Sequence, residues 1–221
     1  MNTTPLFEYG EKETAFLRKK DRALGRVIDA MGHLHRAVEP DIFMALVNAI
    51  LGQQISSRAH RTVWERFQSM FPPLTPENIA AIPPETLQTC GISMRKALYI
   101  SEIAATIHSG HLDLSLLPAM DDAELCARLC QLKGIGVWTA EMLMIFSMQR
   151  QNVLSWDDLA IQRGLRMLYK HRTLTREHFA KYKKRYTPCG SVASLYLWEL
   201  STGKYEGYPD PALKKGAAKK R

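Results

Sequence analysis

Residues 131–146 read QLKGIGVWTAEMLMIF, two glycines at a two-residue spacing directly ahead of a run that is apolar on nearly every side. A helix that is apolar all round is a buried helix, and it needs a sharp turn at its start, which Gly134 and Gly136 can supply for packing alone. The same turn places the backbone of Lys133, Gly134, Ile135 and Gly136 at a helix N-terminus, where partial positive charge favours an anion such as phosphate. This stretch by itself is compatible with both readings.

The surrounding chain is helical throughout. Upstream of the glycines DDAELCARLCQL has helical character and downstream VWTAEMLMIFSMQ resumes it, a helix–hairpin–helix over about 122–149. In DIFMALVNAIL the apolar residues Phe43, Leu46, Val47, Ile50 and Leu51 follow the 3,4 spacing of one helix face, and Val63, Trp64, Phe67 and Met70 repeat it after a cap at Ser56 or Ser57. Thr75 precedes a proline suited to a first helical turn, Gly91 is a stop, Ser93 is a new cap, and Asp158 is placed to cap DLAIQRGLRMLY. GSVASLYLWELS is the last clear helix, in which Tyr196 and Trp198 read as packing. Alternating β-branched runs bounded by turns are missing. The reading is all-α, with about ten short helices.

Composition narrows the function classes. A chain of 221 residues at 46% hydrophobic can bury a real core, which argues against disorder. The net charge of +8 invites a polyanion, but the tail 213–221 holds five basic residues and no acid, leaving +3 for the body. Cys90, Cys126, Cys130 and Cys189 show no spacing suited to zinc or an iron–sulfur cluster, and the seven histidines form no ligand pattern. The N-terminus lacks a signal-like pattern and no apolar run reaches the roughly 18 residues of a membrane span. A reducing cytoplasmic setting without membrane association is expected.

One further spacing matters: Asp158 lies 22 residues beyond Gly136, one buried helix plus a return loop, which brings a carboxylate back towards the hairpin. At this point the sequence resembles the helix-hairpin-helix (HhH-GPD) DNA glycosylases, specifically the branch that removes alkylated purines such as 3-methyladenine. The matching stretches are LKGIGVWTAEMLMIF, WDDLAIQRG, ILGQQISSRA, GISMRKALYI and SVASLYLWEL, in family order over about 15–203.

The resemblance implies a two-lobed helical fold with the active site between the lobes: residues 1–55 and 155–212 in one, 56–154 in the other, followed by the basic tail 213–221. It implies a monomer that is cytoplasmic, nucleoid-associated and of bacterial type, and whose partner is double-stranded DNA containing damaged bases. Such enzymes extrude the damaged nucleotide and hydrolyse its N-glycosidic bond, building positive charge on the sugar, so a carboxylate beside the sugar is what the transition state needs. Asp158 matches the catalytic position, with Asp157 ranked second. Members that also cut the strand carry a lysine nucleophile where this chain has Trp138, and an indole forms no Schiff base, so a monofunctional enzyme is implied.

An electron-poor alkylated base stacks well on an indole, which makes Trp138 and Trp156 candidate pocket walls, beside a core reading for each. Met142 stands in the same pocket where a tyrosine can occur. Cys189 and Gly190 replace an aromatic residue and an arginine common before SVAS, and these departures bear on base preference. By family position Gln54 plugs the vacated stack, Ile92 wedges the opposite strand, and Ser93 and the hairpin residues 133–136 contact DNA. No cofactor or catalytic metal is expected, although hairpin carbonyls in this family can hold a monovalent cation. Two rivals stand beside this reading: a non-catalytic helix-hairpin-helix DNA-binding module, which has no need of Asp158, and a bifunctional glycosylase/lyase.

Overall fold

The structure, a computed structural model, describes residues 5–213, so the expected basic tail lies outside the described residues except for Leu213. The helices are α1 (Glu11–Lys20), α2 (Arg22–Met31), α3 (Ile42–Gly52), α4 (Ser57–Met70), α5 (Pro76–Ala80), α6 (Pro84–Gln88), α7 (Met94–His108), α8 (Asp122–Cys130), α9 (Val137–Phe146), α10 (Leu159–Tyr169), α11 (Arg176–Tyr186) and α12 (Gly190–Ser201). A 3-10 helix, Leu114–Ala119, separates α7 from α8. Among the described residues there is no strand, only an isolated antiparallel bridge between Leu6 and Ala37. The all-α expectation holds. The helices outnumber those read from the sequence partly because 75–90 breaks into two single-turn pieces, each started by a proline at its first position, Pro76 and Pro84.

The caps read from the sequence are in place. Ser56 Oγ accepts the Ala59 N–H at 3.3 Å, Thr75 Oγ1 that of Asn78 at 3.2 Å and Ser93 Oγ that of Lys96 at 3.4 Å. Each satisfies a helix-start donor left without an intrahelical partner, worth about 1 kcal/mol.

The chain divides into two compact units. The first, residues 38–148, holds α3 to α9. The apolar side of α3 (Phe43, Leu46, Val47, Ile50, Leu51) is buried, and α3 packs against α4, α7 and α9. Residues 38–55, expected with the C-terminal helices, therefore group with the hairpin. The apolar helix α9 is packed by α3 and by α8, which accounts for its unbroken hydrophobicity.

The second unit comprises residues 5–37 and 149–213. Its centre is α12, buried along nearly its whole length and packed on α10 and α2. A Cβ on Gly164 would strike the Leu197 carbonyl, so glycine permits the close approach of α10 to α12. Tyr196 is fully buried, its hydroxyl donating to the Gly32 carbonyl at 2.9 Å. Asp21, which caps α2, also accepts from the Tyr169 hydroxyl and from Arg185 Nη1, joining α2 to α10 and α11. No helix among the described residues is long and apolar enough to cross a membrane.

Candidate active site

In the first unit the loop after α3, the start of α7 and the glycine hairpin are tied to one another. Gln53 Nε2 donates to the Gly134 carbonyl at 2.7 Å. Lys96 Nζ donates to the carbonyls of Leu51 and Gln53, both at 2.8 Å, satisfying acceptors that the end of α3 leaves open. Burial pulls the Lys96 ammonium below its ordinary pKa. Arg66 Nη1 reaches the Cys90 carbonyl at 3.2 Å and so braces the second loop. Gln53, Lys96 and Arg66 were not singled out in the sequence. The doubled glutamine at 53–54 is a faint signal for the first, and nothing local marks the other two.

The two hairpin glycines differ. Gly134 has φ of +87°, and a Cβ there would drive into the Tyr99 ring, so the protein's interior itself requires glycine. Gly136 has φ of −94° and ψ of 174°, open to any residue, and a Cβ would meet nothing within 4 Å. Its bare backbone leaves the head of α9 uncovered, with no side-chain cap. Ile135 turns inward: its side chain is buried and its N–H donates to the Leu132 carbonyl at 3.1 Å. Lys133 is exposed and pairs with Glu102 at 2.8 Å, which raises its pKa.

Gln54 stands at the exposed tip of its loop with φ of +57°, a left-handed conformation that few non-glycine residues adopt. Ile92, expected as a wedge, is buried at 8% exposure, whereas Ser93 is exposed. Trp138 is 44% exposed in the first turn of α9, and Met142, one turn on, is half-buried.

In the second unit Asp158 is buried, 6% exposed, while Asp157 is exposed. Asp158 Oδ1 accepts the N–H groups of Ala160 at 2.9 Å and Ile161 at 2.8 Å, so the head of α10 orients the carboxylate. The approach to it is pinned from α12. Ser191 Oγ accepts the Val153 N–H at 2.9 Å and donates to the Arg150 carbonyl at 2.5 Å, and Ser194 Oγ donates to the Val153 carbonyl at 3.0 Å. The Ser191 N–H returns a bond to the Gln151 carbonyl at 3.0 Å. A Cβ on Gly190 would sit 3.2 Å from the Asn152 carbonyl carbon, so the Cys189–Gly190 departure accompanies a close approach of this loop.

Trp156 meets Phe179 of α11 edge-on at 5.2 Å, with the Arg176 guanidinium 4.2 Å over the ring. One ring face expected to meet a base thus carries an arginine. Among the described residues no group of three or more metal-ligating side chains converges.

Known proteins resemble this chain in sequence and in fold. Residues 47–188 match the HhH-GPD superfamily of base excision DNA repair proteins. The chain is 36% identical over 182 residues to DNA-3-methyladenine glycosylase 1 of Schizosaccharomyces pombe, covering 77% of this chain and 76% of that one. Its fold matches the crystal structure of a DNA-3-methyladenine glycosidase from Bacillus halodurans with a TM-score of 0.81 and 31% identity, over 91% of this chain and 95% of that one. It also matches a Schizosaccharomyces pombe 3-methyladenine DNA glycosylase solved in complex with abasic DNA, with a TM-score of 0.77 and 32% identity over 90% and 99% of the two chains. The chain belongs to the HhH-GPD superfamily of base excision DNA repair proteins.

Proposed function

We propose that this protein is a monofunctional DNA glycosylase that hydrolyses the N-glycosidic bond of alkylated purines, of the 3-methyladenine type, flipped out of duplex DNA. The observation that carries the reading is Asp158: a buried carboxylate, oriented by two backbone amides at the head of α10, in the family's catalytic stretch WDDLAIQRG. As the base departs, the sugar gains oxocarbenium character, and a fixed carboxylate stabilises that charge or orients the attacking water without reorganising. The names of the similar proteins support the substrate class.

The remaining parts have distinct work. The open backbone at Gly136 and the amides that begin α9 donate to a DNA phosphate, with Gly134 and Lys133 shaping the turn. Gln54, held out at its loop tip, fills the space left by the extruded nucleotide, and Ser93 lies on the same DNA-facing side. Trp138 and Met142 offer the base an apolar, aromatic wall. With an indole at 138 no Schiff base forms, and the product is an intact strand bearing an abasic site. The protein acts as a monomer in the cytoplasm, on damaged duplex DNA.

The deciding experiment incubates the protein with methylated duplex DNA and identifies released bases by mass spectrometry, with borohydride trapping alongside. Release of 3-methyladenine with no covalent adduct is expected. Absence of any released base sinks the activity in favour of a binding module, and a trapped adduct sinks the monofunctional assignment.

A further inference from the structure

The unit that carries the hairpin is not basic. Residues 38–148 hold seven lysines and arginines against eleven acids, so long-range attraction for a polyanion has its origin elsewhere. Residues 170–185 reverse the balance, with seven basic side chains against the single acid Glu177. One of these, Arg185, is committed to Asp21. The others, on the turn after α10 and on α11, make no ion pair among the described residues, whereas Arg18, Arg36, Lys133, Arg163 and Arg166 all do.

The supporting helix is rigid. Its inner side buries Phe179, Tyr182 and Tyr186, and Tyr182 stacks on Tyr169 at 4.0 Å. Arg185 clamps its end to α2 through Asp21. Lys181, Lys183 and Lys184 are exposed on the other side. The N-terminal end of α11 is also the end that meets the catalytic loop, since Arg176 covers the Trp156 ring two residues before Asp158. The row of charge therefore starts at the loop that carries Trp156 and continues along α11 within one unit.

We propose that Lys170, Arg172, Arg176, Lys181, Lys183 and Lys184 form a second docking surface for duplex DNA, contacting backbone phosphates that flank the lesion. The proposal rests on the glycosylase reading for its partner and on charge complementarity for its chemistry. Phosphate contacts of this kind position a duplex and carry no base information. They release counterions, so the logarithm of affinity falls with the logarithm of salt by about 0.9 per contact.

The test is a salt titration of binding to an undamaged duplex by three full-length proteins: the parent, a Lys181→Gln/Lys183→Gln/Lys184→Gln variant, and a control, Lys12→Gln/Lys19→Gln/Lys20→Gln, which removes the same charge from α1. The α11 variant is expected to lower the slope by about 2 to 3, while the control leaves it near the parent's. An unchanged slope in the α11 variant, or equal losses in both variants, overturns the surface. Binding to undamaged duplex needs no chemistry, so a parent that excises nothing yet shows the α11-dependent slope refutes the glycosylase reading alone. Excision with an unaltered slope refutes the surface alone.

Discussion

Asp158 caps α10 and, in the proposed reaction, supplies the negative charge, and substitution can separate the two. Asn keeps a side-chain oxygen to accept the Ala160 and Ile161 amides but lacks the negative charge, so Asp158→Asn should retain parental stability in urea while single-turnover excision falls at least ~10²-fold. Asp158→Ala should lose excision as well and about 1 kcal/mol of stability, the cost of a missing cap. An Asn variant with full activity would refute the catalytic assignment. The two glycines divide in the opposite manner. Gly134→Ala forces φ of +87° on a Cβ and drives it at Tyr99, and should cost about 1–3 kcal/mol. Gly136→Ala should melt like the parent and bind abasic-site DNA more weakly; undiminished binding would remove the phosphate role from that backbone. Caps were legible in the sequence because a cap speaks only to residues two or three positions away. Whether Ile92 stands out or folds in depends on what covers the loop, which no local pattern states, and the structure buries it.

Among the elements, the end of α3 and the hairpin form one assembly through side chains distant in sequence. Gln53 and Gly134 are 81 positions apart, and no periodicity links them. Lys96→Met should keep α7 helical yet release the Leu51 and Gln53 carbonyls, at about 1–2 kcal/mol. With Gln54 no longer held at its tip, specific binding to abasic duplex should weaken more than binding to undamaged duplex. Equal loss on both would mean that the lysine only supports the fold. The hairpin, α9 and α10 were readable because each combines a punctuating glycine or aspartate with a long apolar period. The helix α11 is hard to read from sequence, as REHFAKYKKRY sets its inward Phe179, Tyr182 and Tyr186 among so many lysines that charge masks the 3,4 spacing.

For the whole molecule, one knot of long-range polar ties lies at Asp21, which reaches partners 148 and 164 positions away and so left no trace in any window of sequence. Burial pushes its carboxyl up, but the Tyr169 hydroxyl, the Leu24 amide and the Arg185 guanidinium outweigh that, and its pKa lies below the ordinary 3.8. A depressed carboxylate stabilises the fold in full above that ordinary value, and the contribution is lost as pH falls below 3.8 through the lower folded value. Asp21→Asn should therefore remove about 2 kcal/mol at neutral pH, less than a fully buried pair because Arg185 is partly solvated, and should flatten the acid limb of the stability curve. An unaltered limb in urea titrations from pH 5 to 2 would show that other carboxylates govern acid unfolding. The loop from Arg150 to Val153, threaded between the hydroxyls of Ser191 and Ser194, has no helix of its own, yet its atoms are held as a helix holds its backbone. In deuterated buffer the Val153 amide should exchange as slowly as those in the middle of α12. The chain leading to the carboxylate has given up its conformational freedom on folding, so little entropy is left to surrender there when a nucleotide arrives.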